Sequence, residues 1–379
     1  MAGSQFGKIF HISTFGESHG KALGVVVDGC PAGLSLSEED IQEMLERRRP
    51  GKNLKMTQRK EGDKVEILSG VFEGKTTGTP IAMVVWNEDQ RSKDYGEIAH
   101  AFRPGHADYG FFAKYGFRDY RGGGRSSGRE TIARVAAGAI AKKMLLELGV
   151  SVRAKVIELA GISLTEDRQK AELLAEQKIL SLREQGDSAG GVVECLVEGL
   201  PAGIGEPVFD KLDASLAKAV MSIGAVKSVE IGDGIEVSKS LGSENNDAFF
   251  LMEEKDYESE EKERDAAGKD SCPHSLLEGT TSFEGKLKKG SNHSGGILGG
   301  MSDGSTIRIR AGFKPTPSIS KPQQTVNEAG EEITIAIKGR HDPTVVERAN
   351  VVVEAMTALT VLAVSYTHLR AHETVLDLV

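Results

Sequence analysis

The chain has 379 residues, with 47 Lys and Arg against 56 Asp and Glu and a formal net charge of −9. That acidity argues against a general nucleic-acid or membrane-surface binder, and no apolar run reads as the ~18 residues of a membrane span. Cys30, Cys195 and Cys272 are far apart without paired ligand spacing, and the opening "MAGSQFGKIF" has no apolar core, which together indicate a soluble cytoplasmic protein without a disulfide framework.

The first predicted helix is "EEDIQEMLERRR", capped by Ser37 with Asp40 three residues later and stopped by Pro50. "KVEILSGV" and "PIAMVVW" follow as strands flanking "FEGKTTGT", a hairpin connection. "GRETIARVAAGAIAKKMLLELG" places Ile132, Val135, Ala136, Ala139, Ile140 and Met144 on one stripe and ends at Gly149. "SVRAKVIELAGI" and "GGVVECLVEG" read as strands, and "FDKLDASLAKAVMSI" as a helix. Met252 to Ser271 is nearly all charged and small, a solvated insertion with little to bury. "STIRIRAGF" and "EITIAIKG" are further strands, and "TVVERANVVVEAMTALTVLA" is the last helix. Strands and helices do not alternate strictly, so an antiparallel α+β fold is expected.

One stretch stands against the acidic whole: "RDYRGGGRSSGRET", Arg118 to Thr131. From Arg103 to Lys143 there are nine Lys and Arg against three acids, Asp108, Asp119 and Glu130. Ser127 and Glu130 have the spacing of a capping box, which places a helix N-terminus inside the stretch. Backbone N–H groups there favour an anion, Gly122 to Gly124 let the backbone come close, and Arg125, Arg129 and Arg134 add guanidinium groups that pair with carboxylate or phosphate. The competing assignment is structural, with arginines serving Asp119 and Glu130. The Gly-Lys-Ser/Thr ending of a phosphate-binding Walker loop is missing.

Among nine histidines, three have unusual settings. His19 follows Ser18 in "TFGESHGKALG". His106 follows a Pro-Gly turn in "FRPGHADYG". His341 lies between Arg340 and Asp342 in "KGRHDPTV". The "GESHG" match to a nucleophile elbow comes too early in the chain for that fold.

Taken together, "TFGESHG", "RRRPG", "SGVFEGKTTGTPIA", "DQRSKDY", "FRPGHADY", "YGFRDYRGGGRSSGRET", "GLPAGIGEPVFDKLDA", "VEIGDG", "NHSGGILGGMSDG", "FKPTPSI" and "KGRHDP" resemble the chorismate synthase family, over residues 5 to about 363. The resemblance implies a sandwich of antiparallel β-sheets around helices, one catalytic domain over 1–363, a homotetramer, and a lyase of the shikimate pathway. It implies 1,4-anti elimination of phosphate from 5-enolpyruvylshikimate-3-phosphate to give chorismate, with reduced FMN and no net redox change.

By the same resemblance His19 protonates the leaving phosphate, His106 protonates the reduced flavin, and Asp342 assists proton removal. Arg48, Arg49, Arg129, Arg134 and Arg340 correspond to substrate-site cations, Arg48 also to a stretch that binds NADPH in bifunctional members. Arg125, Ser126, Ser127, Gly224, Ala225, Gly299, Lys314, Pro315, Thr316, Pro317, Ser318 and Arg340 correspond to the FMN site. No metal is implied; His368 and His372 stand at i,i+4 but lack an apparent third ligand. Leu54, Gly128, Gly224 and Ser228 depart from the family pattern, and so does the tail 364–379, "VSYTHLRAHETVLDLV", read as foreign to the family. A flavin-dependent oxidoreductase of phosphorylated substrates remains the alternative class, and a nucleic-acid-binding module is disfavoured by charge.

Overall fold

A computed structural model of the chain describes residues 3–49, 62–87, 99–251, 287–337 and 342–376, the last helix with side chains as far as Tyr366. The charged stretch 252–271, Leu54, Cys272 and Arg340 fall outside these residues.

Two five-stranded antiparallel sheets carry the fold. The first runs in the order Gln5–Gly7, His11–Gly16, Ala22–Asp28, Ile81–Trp86, Val65–Ile67. The second runs Ile162–Ser163, Ser151–Leu159, Gly191–Glu198, Ile307–Phe313, Val226–Ile231. The helix Thr131–Glu147 packs on the first sheet and against the last helix, Val346–Leu376, which packs in turn on the second sheet. The helices Glu38–Arg48 and Leu212–Met221 flank this pair. The arrangement is the α+β sandwich of antiparallel sheets around helices that the resemblance implies.

Position in the layers explains composition. The Thr131–Glu147 helix is buried on nearly every side, from Ile132 and Ala133 through Val135 to Ala141. A single apolar stripe was expected, but a helix held between a sheet and other helices must be apolar all round. Small residues allow the close approach: a Cβ on Gly138 would stand 2.4 Å from the Cβ of Ala355. The last helix is buried without a break from Val351 to Leu362. Its stretch Val346–Tyr366 is long and apolar enough to cross a membrane by length and composition, which corrects the reading that no such run exists; 78% of its apolar window is buried in the fold. Glu354 sits in that helix, buried, where Arg47 at 2.7 Å, Lys142 at 2.5 Å and the Ala154 N–H at 2.9 Å satisfy it. Burial alone would raise its pKa, but the two cations outweigh that and hold it below the usual range.

Local signals hold unevenly. Asp40 accepts from the Ser37 N–H at 2.8 Å at the start of the first helix. Val65 faces Val85 in an antiparallel pair, and inside that connection Val71–Phe72 and Lys75–Thr77 form a smaller hairpin. The capping box at Ser127 does not form. A 3₁₀ turn, Gly128–Glu130, precedes the helix, Ser127 Oγ accepts from the Arg129 N–H at 3.3 Å, and Glu130 pairs with Arg134 at 3.0 Å. The last helix runs past Ala363 to Leu376, with Ser365 buried and Val364 and Tyr366 packed on the core.

Candidate active site

A cavity of about 630 Å³ opens where loops from both sheets meet the helix ends. The turn after the His11–Gly16 strand brings Ser18 and His19, the Arg103–Ala107 turn brings His106, and the last turn of the Glu38–Arg48 helix brings Arg48. The glycine turn adds Gly122, Gly123 and Ser126 to Arg129, and Asp342 and Arg348 close the side nearest the last helix. Among the described residues, Arg48, Arg103, Arg129, Lys227, Lys314 and Arg348 face it against one carboxylate, Asp342. On a chain of net charge −9 this concentrates positive potential where a small anion would sit.

The two imidazoles are held differently. His106 Nδ1 lies 3.0 Å from the Pro104 carbonyl and Nε2 lies 2.8 Å from Ser318 Oγ. A carbonyl only accepts, so Nδ1 carries the proton and the Nε2 lone pair accepts from the serine hydroxyl. Burial, then the nearby Arg103 and Lys314 charges, push His106 down to about 4, so it is neutral near pH 7. Arg103 is itself fixed by Asp108 through two contacts of 2.7 Å. Burial raises Asp108, but hydrogen bonds and charge from Arg103 outweigh it and leave the carboxyl below its ordinary value. His19 packs against the glycine turn: a Cβ on Gly122, whose φ is +65°, would lie 2.6 Å from His19 Cδ2 and 2.9 Å from Ser18 Oγ. Only glycine fits between them.

The cations are anchored from behind. Arg48 and Arg129 each contact the buried Asp63 at 2.9 Å. Arg348 pairs with Asp342 at 2.5 Å and donates to the Arg48 carbonyl at 3.1 Å. Lys314 Nζ donates to the Gly105 carbonyl at 2.7 Å, tying the 314–318 loop to the His106 turn. Ala225 takes a left-handed φ of +73°, and its carbonyl accepts from the Lys314 N–H at 2.9 Å.

His19, His106, Asp342, Ser126, Ser127, Gly224, Ala225, Lys314, Thr316, Pro317, Ser318, Arg48 and Arg129 therefore line one cavity. Others stand elsewhere. Arg125, expected in the same bowl, turns away: it donates to Thr14 Oγ1 at 2.7 Å and to the Gly16 carbonyl at 3.1 Å along a strand. Arg49 pairs with Glu46 at 3.2 Å on the first helix. Arg134 lies behind the lining, on Glu130 and on Ser222 Oγ at 2.6 Å, and Arg121 closes on Asp119 at 2.8 Å, so part of the arginine cluster is structural. Gly299 sits in the turn between Ile297–Leu298 and Met301–Ser302. Arg103, Lys227 and Arg348 line the cavity without having been singled out; Arg103 stands three residues before His106 and Arg348 six after Asp342, inside or beside stretches already quoted.

A cationic cleft with two imidazoles and a carboxylate in its lining is the site of a small-molecule enzyme. The family model described as chorismate synthase matches residues 10–365. A chorismate synthase of Lachnoclostridium phytofermentans is 58% identical over 95% of this chain and 94% of its own length. One from Lachnospira eligens is 54% identical over 98% and 97%, and one from Methanosarcina mazei 52% over 95% and 95%. A crystal structure of a chorismate synthase superposes with a TM-score of 0.67 at 29% identity, covering 95% of this chain and 92% of the other. The chain belongs to the chorismate synthase family, and it is a lyase.

Proposed function

We propose that the protein converts 5-enolpyruvylshikimate-3-phosphate to chorismate by 1,4-anti elimination of phosphate, and that it requires reduced FMN. The observation that carries this reading is the convergence of His19, His106 and Asp342 on one cavity whose other charged lining is cationic. The substrate carries a phosphate and two carboxylates, and Arg48, Arg129 and Lys227 supply compensating charge. His19 hands a proton to the phosphate oxygen as the C–O bond breaks, a role suited to imidazole. Asp342, held by Arg348, accepts on the side where the ring proton leaves.

The cavity suits a flavin phosphate and ring system. Thr316 Oγ1 and Ser18 Oγ are buried there without a hydrogen-bond partner among the described residues, and Lys314 lines the same cavity. Of the residues the resemblance assigns to FMN, Ser126, Ser127, Gly224, Ala225, Lys314, Thr316, Pro317 and Ser318 line the cavity and would hold the cofactor. Reduced FMN, when bound, supplies an electron-rich ring that turns over without net redox change. His106, once charged, would protonate it. The reading includes a homotetramer in the cytoplasm, consistent with the buried free thiols of Cys30 and Cys195.

The test is an anaerobic assay with dithionite-reduced FMN and the enolpyruvyl substrate, following chorismate absorbance. Chorismate and phosphate should appear in equal amounts with no stoichiometric loss of reductant. Flavin oxidation matched to turnover would point instead to an oxidoreductase.

A further inference from the structure

Among the described residues, Asp63 is a carboxylate that bridges two cavity-lining arginines. Its Oδ2 takes Arg48 Nη1 at 2.9 Å and its Oδ1 takes Arg129 Nη1 at 2.9 Å. The Asp63 side chain is 0% exposed, that of Arg48 2% and that of Arg129 10%. Each guanidinium is also fixed at Nε, Arg48 by Thr131 Oγ1 at 2.9 Å and Arg129 by Asn87 Oδ1 at 2.6 Å. Asp63 itself stands at φ +44°, where aspartate and asparagine are the tolerated non-glycine residues.

We propose that Asp63 is a positioning residue for substrate recognition. Its buried carboxylate locks Arg48 and Arg129 into a preformed pair that receives an oxyanion of the substrate. Two guanidinium groups side by side repel each other and would splay into solvent without a shared counter-ion. A carboxylate bridging them fixes their planes and removes one of the two charges from the site. The pair then binds an anion without the rearrangement that a loose pair would need. The proposal rests on the assignment of the cavity to the phosphorylated, carboxylated substrate, and takes the FMN phosphate to be bound elsewhere in it.

The experiment compares the full-length protein with Asp63→Asn, which keeps size and tolerates the left-handed backbone. Substrate affinity is measured by calorimetric titration, which needs no turnover, and FMN affinity by flavin fluorescence. Asp63→Asn should weaken substrate binding between about 10- and 100-fold, the usual loss when a binding group is misplaced by an ångström. FMN affinity should change less than about twofold. Arg129→Gln should weaken substrate binding as well, and adding Asp63→Asn to it should cost less than in the wild-type background. Unchanged substrate affinity in folded Asp63→Asn overturns the proposal, and so does a loss confined to FMN. If that variant does not fold, Asp63→Glu keeps the charge and displaces it by one methylene; wild-type substrate affinity there overturns the proposal equally. A wild-type protein that binds substrate but forms no chorismate would sink the proposed reaction and leave this inference standing.

Discussion

His106 shows how single atoms set what a residue can do. With Nδ1–H held by the Pro104 carbonyl and Nε2 accepting from Ser318, the ring is complete as a neutral group. Burial and the Arg103 charge then keep it neutral down to about 4, below the ordinary 6.5. Between those values the unfolded chain binds a proton that the folded chain does not, so His106 makes stability fall as pH drops from 6.5 towards 4. Its proposed role needs a charged ring. An anionic ligand would supply that by cancelling part of the Arg103 and Lys314 field. The expected outcome is net proton uptake when the phosphorylated substrate binds at pH 6, seen by calorimetry in two buffers of different ionisation enthalpy. His106→Asn should bind substrate with that uptake abolished. Undiminished uptake in the variant would assign the proton to another group and remove the argument for His106.

At the scale of elements, the glycine turn is the most informative piece. Gly122, Gly123 and Gly124 all have positive φ, but they differ in what surrounds them. A Cβ at Gly122 would strike the His19 ring at 2.6 Å, whereas one at Gly124 meets nothing within 4 Å. Both alanine variants carry a similar backbone cost, of about 1 kcal/mol. Gly122→Ala should lose turnover roughly 100-fold by displacing His19, while Gly124→Ala should keep most of it at a similar melting temperature. Equal loss in the two would mean that the turn matters only through its backbone. This turn was legible in sequence because glycine, arginine and serine cluster there. The direction of Arg125 was not, since its partners Thr14 and Gly16 are over a hundred residues away. The well-buried helices and the long strands of the second sheet, Ser151–Leu159, Gly191–Glu198 and Ile307–Phe313, were legible from apolar runs. The strands Gln5–Gly7, His11–Gly16 and Ala22–Asp28 were not, because glycines and polar residues break their alternation. The helix Arg168–Glu184 escaped as well: it buries only Ala171, Ala175 and Ile179, too thin a stripe to stand out. Asp63 could not be read at all, because a lone aspartate in "EGDKVE" gives no sign of two arginines folding over it.

For the whole molecule, the last helix joins the catalytic cavity to the far side of the sandwich. Its contribution to the cavity is confined to its start, through Arg348, Ala349 and Val352, with Val345 just before it. The sequence placed the end of the family pattern at Ala363, yet Ser365 is buried and Tyr366 packs on the core, so the structural boundary lies at least three residues later. Position 367 is fifteen residues beyond Val352, which at helical rise is roughly 22 Å from the cavity lining. Removing 367–379 should therefore leave kcat and KM unchanged. Removing 365–379 takes Ser365 and Tyr366 from the core as well and should lower the melting temperature further, with turnover per folded molecule retained. Assay and thermal melting of both truncations, with the oligomeric state read by light scattering, check this. Loss of turnover in a folded protein lacking only 367–379 would mean that the helix end acts on a cavity other than its own, through assembly, and the separation of tail from chemistry would fail.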